Sequence, residues 1–482
     1  MNRRHTLGML LSGALLPFAF APFEQVWVAP VAIALLFYTW MQCQSLRDAL
    51  RVGGFFGVGF FGVGVSWVYV SVQQFGGVGE LLSLLIVTLF IALLSLFFMV
   101  QGGLFYLLRE QFCSVRRCRV DFLLPLIWVL FEWVRSHLLG GFPWLLLGHT
   151  APGSFYRGLA PWLGTYGVSF YLALLALLVV LLLRRPDPPS GSKKGVVATV
   201  VTLLVIGWVS GTMHWSKPSG EPLSVALVQG NFSQEEKWQP DNLSINLNRY
   251  KQATDSLRQA QLVVWPETAV PAFRQQVEHS FLEPLSRQLA MEGRSLLTGI
   301  PLLTKEDYQY LNGIILLGKE QGEYHKRQLV PFGEYMPFRS WFMPLLEFID
   351  IPFSSFSEGA RSQPLLTVAG QPIAATICYE VAYPELTFSH YADATLLVTI
   401  SNDGWFGNTL APHQHLQIAR MRALESARPM LRATNTGITA IIDAEGEVIQ
   451  QLPQDEFGVL EAIIQPQNGV TPYLSWFTKG LF

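Results

Sequence analysis

Residues 372–380 read Pro372-Ile-Ala-Ala-Thr-Ile-Cys378-Tyr-Glu380. The short apolar run at 373–377 is typical of a buried strand, and Cys378 follows it directly. Catalytic side chains in α/β folds lie at strand ends, where the loops are free to vary. The stretch therefore predicts an α/β domain in which Cys378 stands at the end of a strand.

Similar apolar, β-branched runs recur on both sides of this stretch. They lie at 223–228, 261–265, 295–298, 312–317, 373–377, 394–400 and 437–443. Polar amphipathic stretches separate several of them, at 242–260, 276–292 and 411–428. This alternation predicts strands buried between helices, so we expect residues 222–464 to form one α/β domain.

The first half of the chain has a different composition. Of the 482 residues 50% are hydrophobic and only 14% are charged, whereas about 25% charge is usual in soluble domains. Apolar stretches of roughly the ~20 residues that a membrane-spanning helix needs lie near 7–22, 26–42, 53–72, 81–108, 122–139, 162–183 and 195–213. Residues 1–213 are therefore predicted to form a transmembrane domain of about seven helices.

Charge supports this division and predicts an orientation. Residues 1–212 contain 14 Lys and Arg against 7 Asp and Glu, whereas residues 213–482 contain 19 against 28. The basic residues of the first half concentrate in every second connection, at Arg3, Arg4, Arg47, Arg51, Arg109, Arg116, Arg117, Arg119, Arg184, Arg185, Lys193 and Lys194. Basic connections mark the cytoplasmic side. Everything after Trp215 is therefore expected to be extracytoplasmic.

The four cysteines differ in their predicted compartment. Cys43, Cys113 and Cys118 fall on the cytoplasmic side, and Cys378 alone falls outside. Oxidising compartments favour disulfides, yet Cys378 has no partner in its domain. A lone cysteine is most often a small buried apolar residue, so a reactive role depends on the residues that accompany it.

Acyl transfer through a covalent intermediate requires a nucleophile, a base and a stabiliser for the oxyanion. Cys378 is the candidate nucleophile, and Glu267, which follows the strand-like run ending in Trp265-Pro266, is the candidate base. Lys326 could favour the thiolate and stabilise the oxyanion. Glu334 lies eight residues later and could hold Lys326 or act as a second carboxylate. The backbone N–H of Tyr379 could add an oxyanion donor.

Three motifs together carry a family resemblance. Trp265-Pro-Glu267, Tyr324-His-Lys326 followed by Leu329-Val-Pro-Phe-Gly-Glu-Tyr335, and Cys378-Tyr-Glu380 resemble the Glu-Lys-Cys set of the nitrilase, or carbon–nitrogen hydrolase, superfamily. With seven spans ahead of this domain, the chain resembles the apolipoprotein N-acyltransferase family of the bacterial inner membrane. The resemblance implies an αββα sandwich that is nitrilase-like.

The same resemblance implies catalytic Glu267, Lys326 and Cys378. We expect supporting or substrate-binding roles for Glu334, Trp238, Tyr379 and Glu380. For Trp238, an active-site wall and simple loop packing are equally good interpretations of Glu236-Lys-Trp-Gln-Pro240. The family is further expected to end in one more transmembrane helix. Residues 465–482 are a tail, too short to span a membrane, that leads toward that helix.

The resemblance also implies the substrates. Cys378 would attack a membrane phospholipid, which is the acyl donor, and form a thioester with release of a lysophospholipid. The acceptor would be the N-terminal amine of the diacylglyceryl-cysteine on an apolipoprotein. Because conversion of a thioester to an amide is downhill, no cofactor and no metal are expected. No nucleic-acid partner is expected either.

Two other functions remain open from the sequence. In a membrane-tethered amidase, water would resolve the acyl-enzyme. Alternatively, the chain could be a transporter or scaffold whose soluble domain is catalytically dead, although the spans contain few charges for an ion pathway. Acylation of Cys378 would exclude the scaffold, and the identity of the acceptor would separate transferase from amidase.

Overall fold

The computed structural model describes residues 3–77, 79–112, 120–184, 193–304, 309–337, 356–386 and 392–478. Two compact units make up the chain. The first contains residues 1–213 and Thr409–Gln417, and the second contains His214–Asn408 and Ile418–Phe482. The inserted Thr409–Gln417 segment apart, this boundary lies where composition and charge change in the sequence.

The first unit is helical. A helix occurs at each of the seven predicted positions, and their bounds are Arg3–Leu15, Val28–Gln42, Leu46–Gly64, Glu80–Phe112, Leu124–His137, Ala160–Leu183 and Lys193–Ser210. Short 3-10 turns extend some of them, such as Leu16–Ala19 after the first and Val120–Leu123 before the fifth.

Not all of these helices have the length of a full span. Among the described residues four are long and apolar enough to cross a membrane, and a fifth span results if Leu46–Gly64 and the bent segment Val68–Phe75 are taken together. The apolar segments Thr6–Ala19 and Val28–Gln42 are shorter. The figure of seven spans therefore stays a prediction.

The outer surface of the helix Glu80–Phe112 is apolar. Leu81, Leu84, Leu85 and Leu89 are all more than half exposed along one stretch of it. In water such a patch would be a liability, so this surface indicates contact with lipid. On its other side the helix packs closely on Leu46–Gly64, because a Cβ at Gly53 would lie 2.1 Å from the carbonyl oxygen of Phe98. Small residues permit such approach between membrane helices.

The second unit contains two six-stranded sheets and a short two-stranded one. The strands are β1 Lys217–Pro218, β2 Leu223–Gln229, β3 Leu262–Val264, β4 Ser295–Leu303, β5 Tyr310–Gly318, β6 Gly322–His325, β7 Leu366–Val368, β8 Gln371–Ile377, β9 Leu396–Ser401, β10 Met430–Thr434, β11 Ala440–Ile442, β12 Val448–Gln451, β13 Gly458–Ile464 and β14 Gln467–Asn468. The first sheet has the order β13-β2-β3-β4-β5-β6, the second has β12-β11-β10-β9-β8-β7, and β1 pairs with β14.

The two large sheets share a core. Side chains of β2 such as Val225 and Leu227 join those of β8 and β9, such as Ile377 and Ile400, in one buried cluster. Alternate residues of the first sheet, such as Val228, point instead into a second cluster with the helices Leu243–Ser256 and Glu283–Met291. Because strands buried on both faces are continuously apolar, the runs in the sequence showed little alternation.

The second sheet is covered by a helix on its outer face. Part of Ala411–Ser426 packs there, and Arg420 Nε donates to the carbonyl oxygen of Gly446 in the turn between β11 and β12 at 2.8 Å. The order of layers is helix, sheet, sheet, helix, so the predicted αββα class is confirmed.

The sequence located most central strands and none of the edge strands. Strands were predicted where β2, β3, β4, β5, β8, β9 and β11 lie, although β4 continues to Leu303, well past the predicted 298. β6, β7, β12 and β13 were missed, as was β10. β12 ends in two exposed glutamines, and in the partly exposed β13 Glu461 interrupts the apolar residues, so neither has the continuous apolar run that identified the others. Predictions on Cys113, Cys118, Arg116, Arg117, Arg119 and Arg185 lie outside the described residues.

Candidate active site

Cys378 occupies a turn that projects it from the end of β8. It is the first residue of a 3-10 turn, Cys378–Ala382, and its φ is 53°. A side chain other than glycine seldom adopts this left-handed conformation, and such strain tends to be kept at functional sites. The thiol is partly buried. The sharp turn from strand to 3-10 helix thus sets the cysteine apart from the sheet core.

Glu380 stabilises that turn from inside. Its buried carboxylate accepts hydrogen bonds from the backbone N–H groups of Ile377 at 2.7 Å and Arg327 at 2.6 Å. The Tyr324 hydroxyl donates to the same carboxylate at 3.0 Å. Burial raises the pKa of Glu380, and these backbone donors oppose the rise. Glu380 therefore joins the cysteine turn to the segment after β6, a supporting role.

Glu267 lies in the turn that follows β3. The backbone of the next residue, Thr268, is also left-handed, with φ 50°. The turn packs directly against β4, because a Cβ at Gly299 would lie 2.5 Å from the Thr268 nitrogen and 2.7 Å from the Glu267 Cα. Only glycine lets the strand approach so closely. The position of the Glu267 backbone is therefore set by a neighbouring strand.

A buried cluster joins the predicted base to the predicted cation. Lys326 Nζ lies 2.8 Å from Glu334 Oε1 and 3.6 Å from Glu267 Oε1. Asn312 Nδ2 donates to Glu267 Oε1 at 2.7 Å and to Glu334 Oε1 at 3.1 Å. Glu334 Oε2 also accepts from the Val330 N–H at 2.8 Å. The predicted Glu267, Lys326 and Glu334 thus come together across 67 residues of sequence.

The electrostatics of the cluster favour a charged lysine and a neutral thiol. Burial lowers the pKa of Lys326, but the negative charges of Glu334 and Glu267 outweigh it and leave the pKa raised. Burial is the main cause that raises the pKa of Cys378, and the charge of Glu267 raises it further, whereas Lys326 lowers it. The resting thiol is therefore protonated, and its attack requires a base.

The loop before Trp238 contributes a residue that sequence reasoning missed. Trp238 itself follows the short helix Gln234–Lys237 and is 53% exposed. Lys237 is buried, and its Nζ donates to the backbone carbonyl oxygen of Glu267 at 3.1 Å. Burial lowers the pKa of Lys237 to about 8. A second buried amine thus contacts the turn that carries Glu267.

Asn312 was missed as well, although the sequence held a signal. It is the polar residue of the apolar run at 312–317, and a buried amide in a strand needs partners. No comparable signal marked Lys237, which lies in a polar loop.

Tyr379 is buried at the cysteine turn, and the centroids of its ring and the Tyr383 ring are 5.2 Å apart. Within the described ranges, no group of three or more His, Cys, Asp or Glu residues is placed to hold a metal ion.

Two family models match the chain. The model described as Carbon-nitrogen hydrolase matches residues 224–471, and the one described as Apolipoprotein N-acyltransferase N-terminal domain matches residues 12–178. Fold and match together define a nitrilase-like domain that follows a helical membrane domain in one chain.

Related sequences identify the family within this class of protein. Proteins named "Apolipoprotein N-acyltransferase" from Methylococcus capsulatus, Coxiella burnetii and Pseudomonas syringae are 41%, 40% and 40% identical. Each alignment covers 97% of this chain, and 91%, 95% and 92% of the respective relative. The chain belongs to the apolipoprotein N-acyltransferase family and is an integral membrane acyltransferase.

Proposed function

We propose that this enzyme transfers an acyl chain from a membrane phospholipid, through a thioester on Cys378, to the N-terminal amine of the diacylglyceryl-cysteine of apolipoproteins. The observation that supports this most is the cluster of Glu267, Lys326, Glu334 and Asn312, in which the charges of Glu267 and Lys326 act on the Cys378 thiol. Such a cluster contains the base and the cation that acyl transfer requires.

In the first half-reaction Glu267 removes the proton from the Cys378 thiol as the sulfur attacks the ester carbonyl. A base is needed because burial keeps the thiol protonated. The tetrahedral intermediate carries an oxyanion, and Lys326 stabilises it. Collapse breaks the ester bond, the leaving lysophospholipid oxygen takes the proton from Glu267, and the acyl chain remains on sulfur.

In the second half-reaction the free amine of the acceptor attacks the thioester. Glu267 takes a proton from the attacking amine, and the C–S bond breaks to give the amide. The Cys378 thiolate then recovers that proton from Glu267, so the enzyme returns to its starting state. Glu334 and Asn312 keep Glu267 and Lys326 in place through both steps, because each contacts one or both of them.

The distribution of basic residues supports a location for the reaction. We place the enzyme in the bacterial inner membrane as a multi-pass protein, with its catalytic domain on the periplasmic side. The support is the distribution of Lys and Arg, which fall in alternate connections of the first 212 residues and mark the cytoplasmic side. A periplasmic site meets both the lipid and the exported acceptor.

Mass spectrometry of the purified protein after exposure to phospholipid tests the proposal. We expect a mass increase of one acyl chain, mapped to the peptide that contains Cys378, and its loss on addition of a diacylated lipopeptide with a free amine. Cys43 serves as an internal control, because it is buried and in the helical unit. Absence of any adduct on Cys378 would refute the thioester route.

The same experiment separates a transferase from an amidase. An amidase would lose the adduct to water at the same rate with or without the lipopeptide and would release a free fatty acid. The transferase would retain the adduct until the amine arrives and would then give an N-acylated lipopeptide.

A further inference from the structure

Three strand ends of the second sheet lie side by side at the candidate nucleophile. Ile377 of β8 is the parallel partner of Ile400 of β9, so the next residues along these strands, Cys378 and Ser401, are neighbours. Ser401 in turn pairs with Thr434 of β10. Ser401 is fully buried. The Ser401 side chain therefore has no access to water at the cysteine turn, and its hydroxyl acts on the Cys378 thiol through a hydrogen bond.

The Ser401 hydroxyl also contacts a buried ion pair. Ser401 Oγ donates to Asp403 Oδ1 at 2.7 Å. Asp403 Oδ2 lies 2.7 Å from a guanidinium nitrogen of Arg432, and both of these side chains are completely buried. Breaking such a pair on one side usually leaves an uncompensated buried charge. A buried ion pair is costly to form, so its position near the candidate nucleophile suggests that it has a function there.

We propose that Ser401 is a positioning residue whose single O–H bond turns between the Asp403 carboxylate and the Cys378 thiolate, and so donates a hydrogen bond to one or the other. The proposal rests on the function proposed above, because it takes Cys378 to be the nucleophile. In the resting enzyme the hydroxyl donates to Asp403, and its lone pairs can accept from the protonated thiol. When Glu267 removes the thiol proton, the hydroxyl rotates and donates to the sulfur.

The rotation leaves the charges balanced. Asp403 loses one hydrogen bond but keeps its contact with Arg432, so no buried carboxylate is left without a partner. Once the acyl chain is on sulfur, the thioester is a weak acceptor and the hydroxyl returns to Asp403. No proton leaves Ser401 in either direction, because only the direction of its O–H bond changes.

The charged groups that act on the thiol come from three other elements. Glu267 follows β3, Lys326 follows β6 and Asp403 follows β9. Burial is the largest effect on the pKa of Cys378, and it raises that pKa. The charges of Glu267 and Asp403 raise it further, whereas Lys326 and the hydrogen bond with Ser401 lower it. Removal of the Ser401 hydroxyl and removal of the Asp403 charge should therefore change thiol reactivity in opposite directions.

The test measures the rate of Cys378 alkylation by iodoacetamide against pH, on the full chain in detergent. Ser401→Ala removes only the hydroxyl and leaves Asp403 paired with Arg432. We expect alkylation about threefold to tenfold slower than in the parent below the thiol midpoint, because loss of one hydrogen bond to a charged group raises the thiol pKa by about one unit, partly offset by a more nucleophilic thiolate. Ser401→Thr, which keeps a hydroxyl, should restore most of the rate.

Thr399→Val is the matched control. Thr399 lies two residues earlier on β9, so it points to the same face as Ser401, it is fully buried, and among the described residues its hydroxyl has no hydrogen-bond partner. It should alkylate at the parental rate. Asp403→Asn should alkylate faster than the parent because loss of the negative charge lowers the pKa of the thiol. The pH midpoint of alkylation should therefore shift downward, whereas a structural defect that only exposes the thiol would raise the rate without moving the midpoint.

Equal rates for Ser401→Ala and Thr399→Val would overturn the proposal, as would slower alkylation in both Ser401→Ala and Asp403→Asn. Failure here is distinct from failure of the proposed function. If Ser401 has no such role, the parent still forms the acyl adduct on Cys378, whereas without the proposed function the parent forms none.

Discussion

At the scale of single residues, the site depends on one lysine held between two carboxylates. Lys326 is 1% exposed and contacts both Glu334 and Glu267. An ammonium in this position cannot lose its proton easily, so it remains a permanent positive charge near the thiol. A charge that is already in place needs no reorganisation when the oxyanion develops, which is where such groups contribute most to catalysis.

The nucleophile itself gives the first prediction. Cys378→Ala should abolish both acyl-enzyme formation and transfer, because alanine has no attacking atom. Cys378→Ser should also be nearly inactive, since a hydroxyl needs a stronger base than a carboxylate. Release of lysophospholipid measures the first step. Parental turnover in Cys378→Ala would show that another group attacks the lipid.

The base and the cation give the second prediction. Glu267→Gln keeps the shape but cannot accept a proton, so both half-reactions should stop. Lys326→Ala should lose about 10²–10³ in rate, the usual effect of removing one oxyanion donor, and Lys326→Arg should not restore it because a planar fork is not a compact point charge. The initial rate of N-acylation in detergent measures the effect. Circular dichroism verifies that the variants fold, and rates above about half the parental value would exclude these roles.

Lys237 gives a prediction on pH and stability. Its pKa is about 8 in the folded state against an ordinary value of 10.5 for lysine, so between these pH values the unfolded chain binds more protons than the folded one. The free energy of unfolding of the parent should therefore rise with pH across this window, by at most about 3 kcal/mol. Lys237→Met should lose that rise.

The measurement is the thermal midpoint of parent and variant in detergent at pH 7.5 and at pH 10. The difference between the two proteins should shift in favour of the parent at the higher pH. Lys319→Met, a substitution at an exposed position, is the control and should behave like the parent at both pH values. If the difference in thermal midpoint between the parent and Lys237→Met were the same at both pH values, Lys237 would not have a lowered pKa in the folded protein.

At the scale of secondary structure elements, the strands position the proposed catalytic groups and the turns after them set the direction of the side chains. Cys378 follows β8, Glu267 follows β3 and Lys326 follows β6, so three different strands of two sheets each supply one group. The backbone is left-handed at Cys378 and immediately after Glu267. The surrounding hydrogen bonds, such as those of Glu380, maintain the strained turn at Cys378 and thereby fix the direction of its side chain.

The contact between β4 and the Glu267 turn gives an element-scale prediction. Gly299→Ala would place a Cβ 2.5–2.8 Å from the backbone of residues 266–268, so the turn must move. A small displacement of a catalytic group can cost about 10²-fold in rate, and we expect a loss of that order. Gly458→Ala on β13 is the control, because the three atoms nearest to its Cβ would all belong to the flexible Leu452 side chain, the first at 3.0 Å.

The readout is the N-acylation rate together with the thermal midpoint of each variant. We expect Gly299→Ala to lose far more activity than Gly458→Ala. Equal activity in the two variants would show that the position of the Glu267 turn does not limit the reaction.

At the scale of the whole molecule, the chain joins an apolar helical domain to an acidic α/β domain. We predict that residues 215–470 face the periplasm. A reporter cysteine in Met291→Cys, a position that is 84% exposed, should react with a membrane-impermeant maleimide in intact spheroplasts. Native Cys113 and Cys118 should react only after permeabilisation. Labelling of Cys113 or Cys118 before permeabilisation would reverse the orientation.

The sequence alone predicted a division into two domains and the three residues that we propose as reacting groups. Hydropathy and charge predict the two domains because residues that face lipid and residues that face water differ in composition over long stretches. The motifs around Glu267, Lys326 and Cys378 predict the reacting groups because acyl transfer requires these residue types. Most central strands could also be predicted, because a strand that is buried on both faces has a continuous apolar sequence.

Only the tertiary structure decided which residues surround those groups. Asn312 and Lys237 contact Glu267 from 45 and 30 residues away, and Ser401 becomes a neighbour of Cys378 only through the parallel pairing of β8 and β9. Such contacts leave no local pattern, because strand order and register are fixed by packing of the complete sheet. The sequence of a polar loop is the same whether a given side chain is solvated or buried, and only the fold determines which of the two occurs.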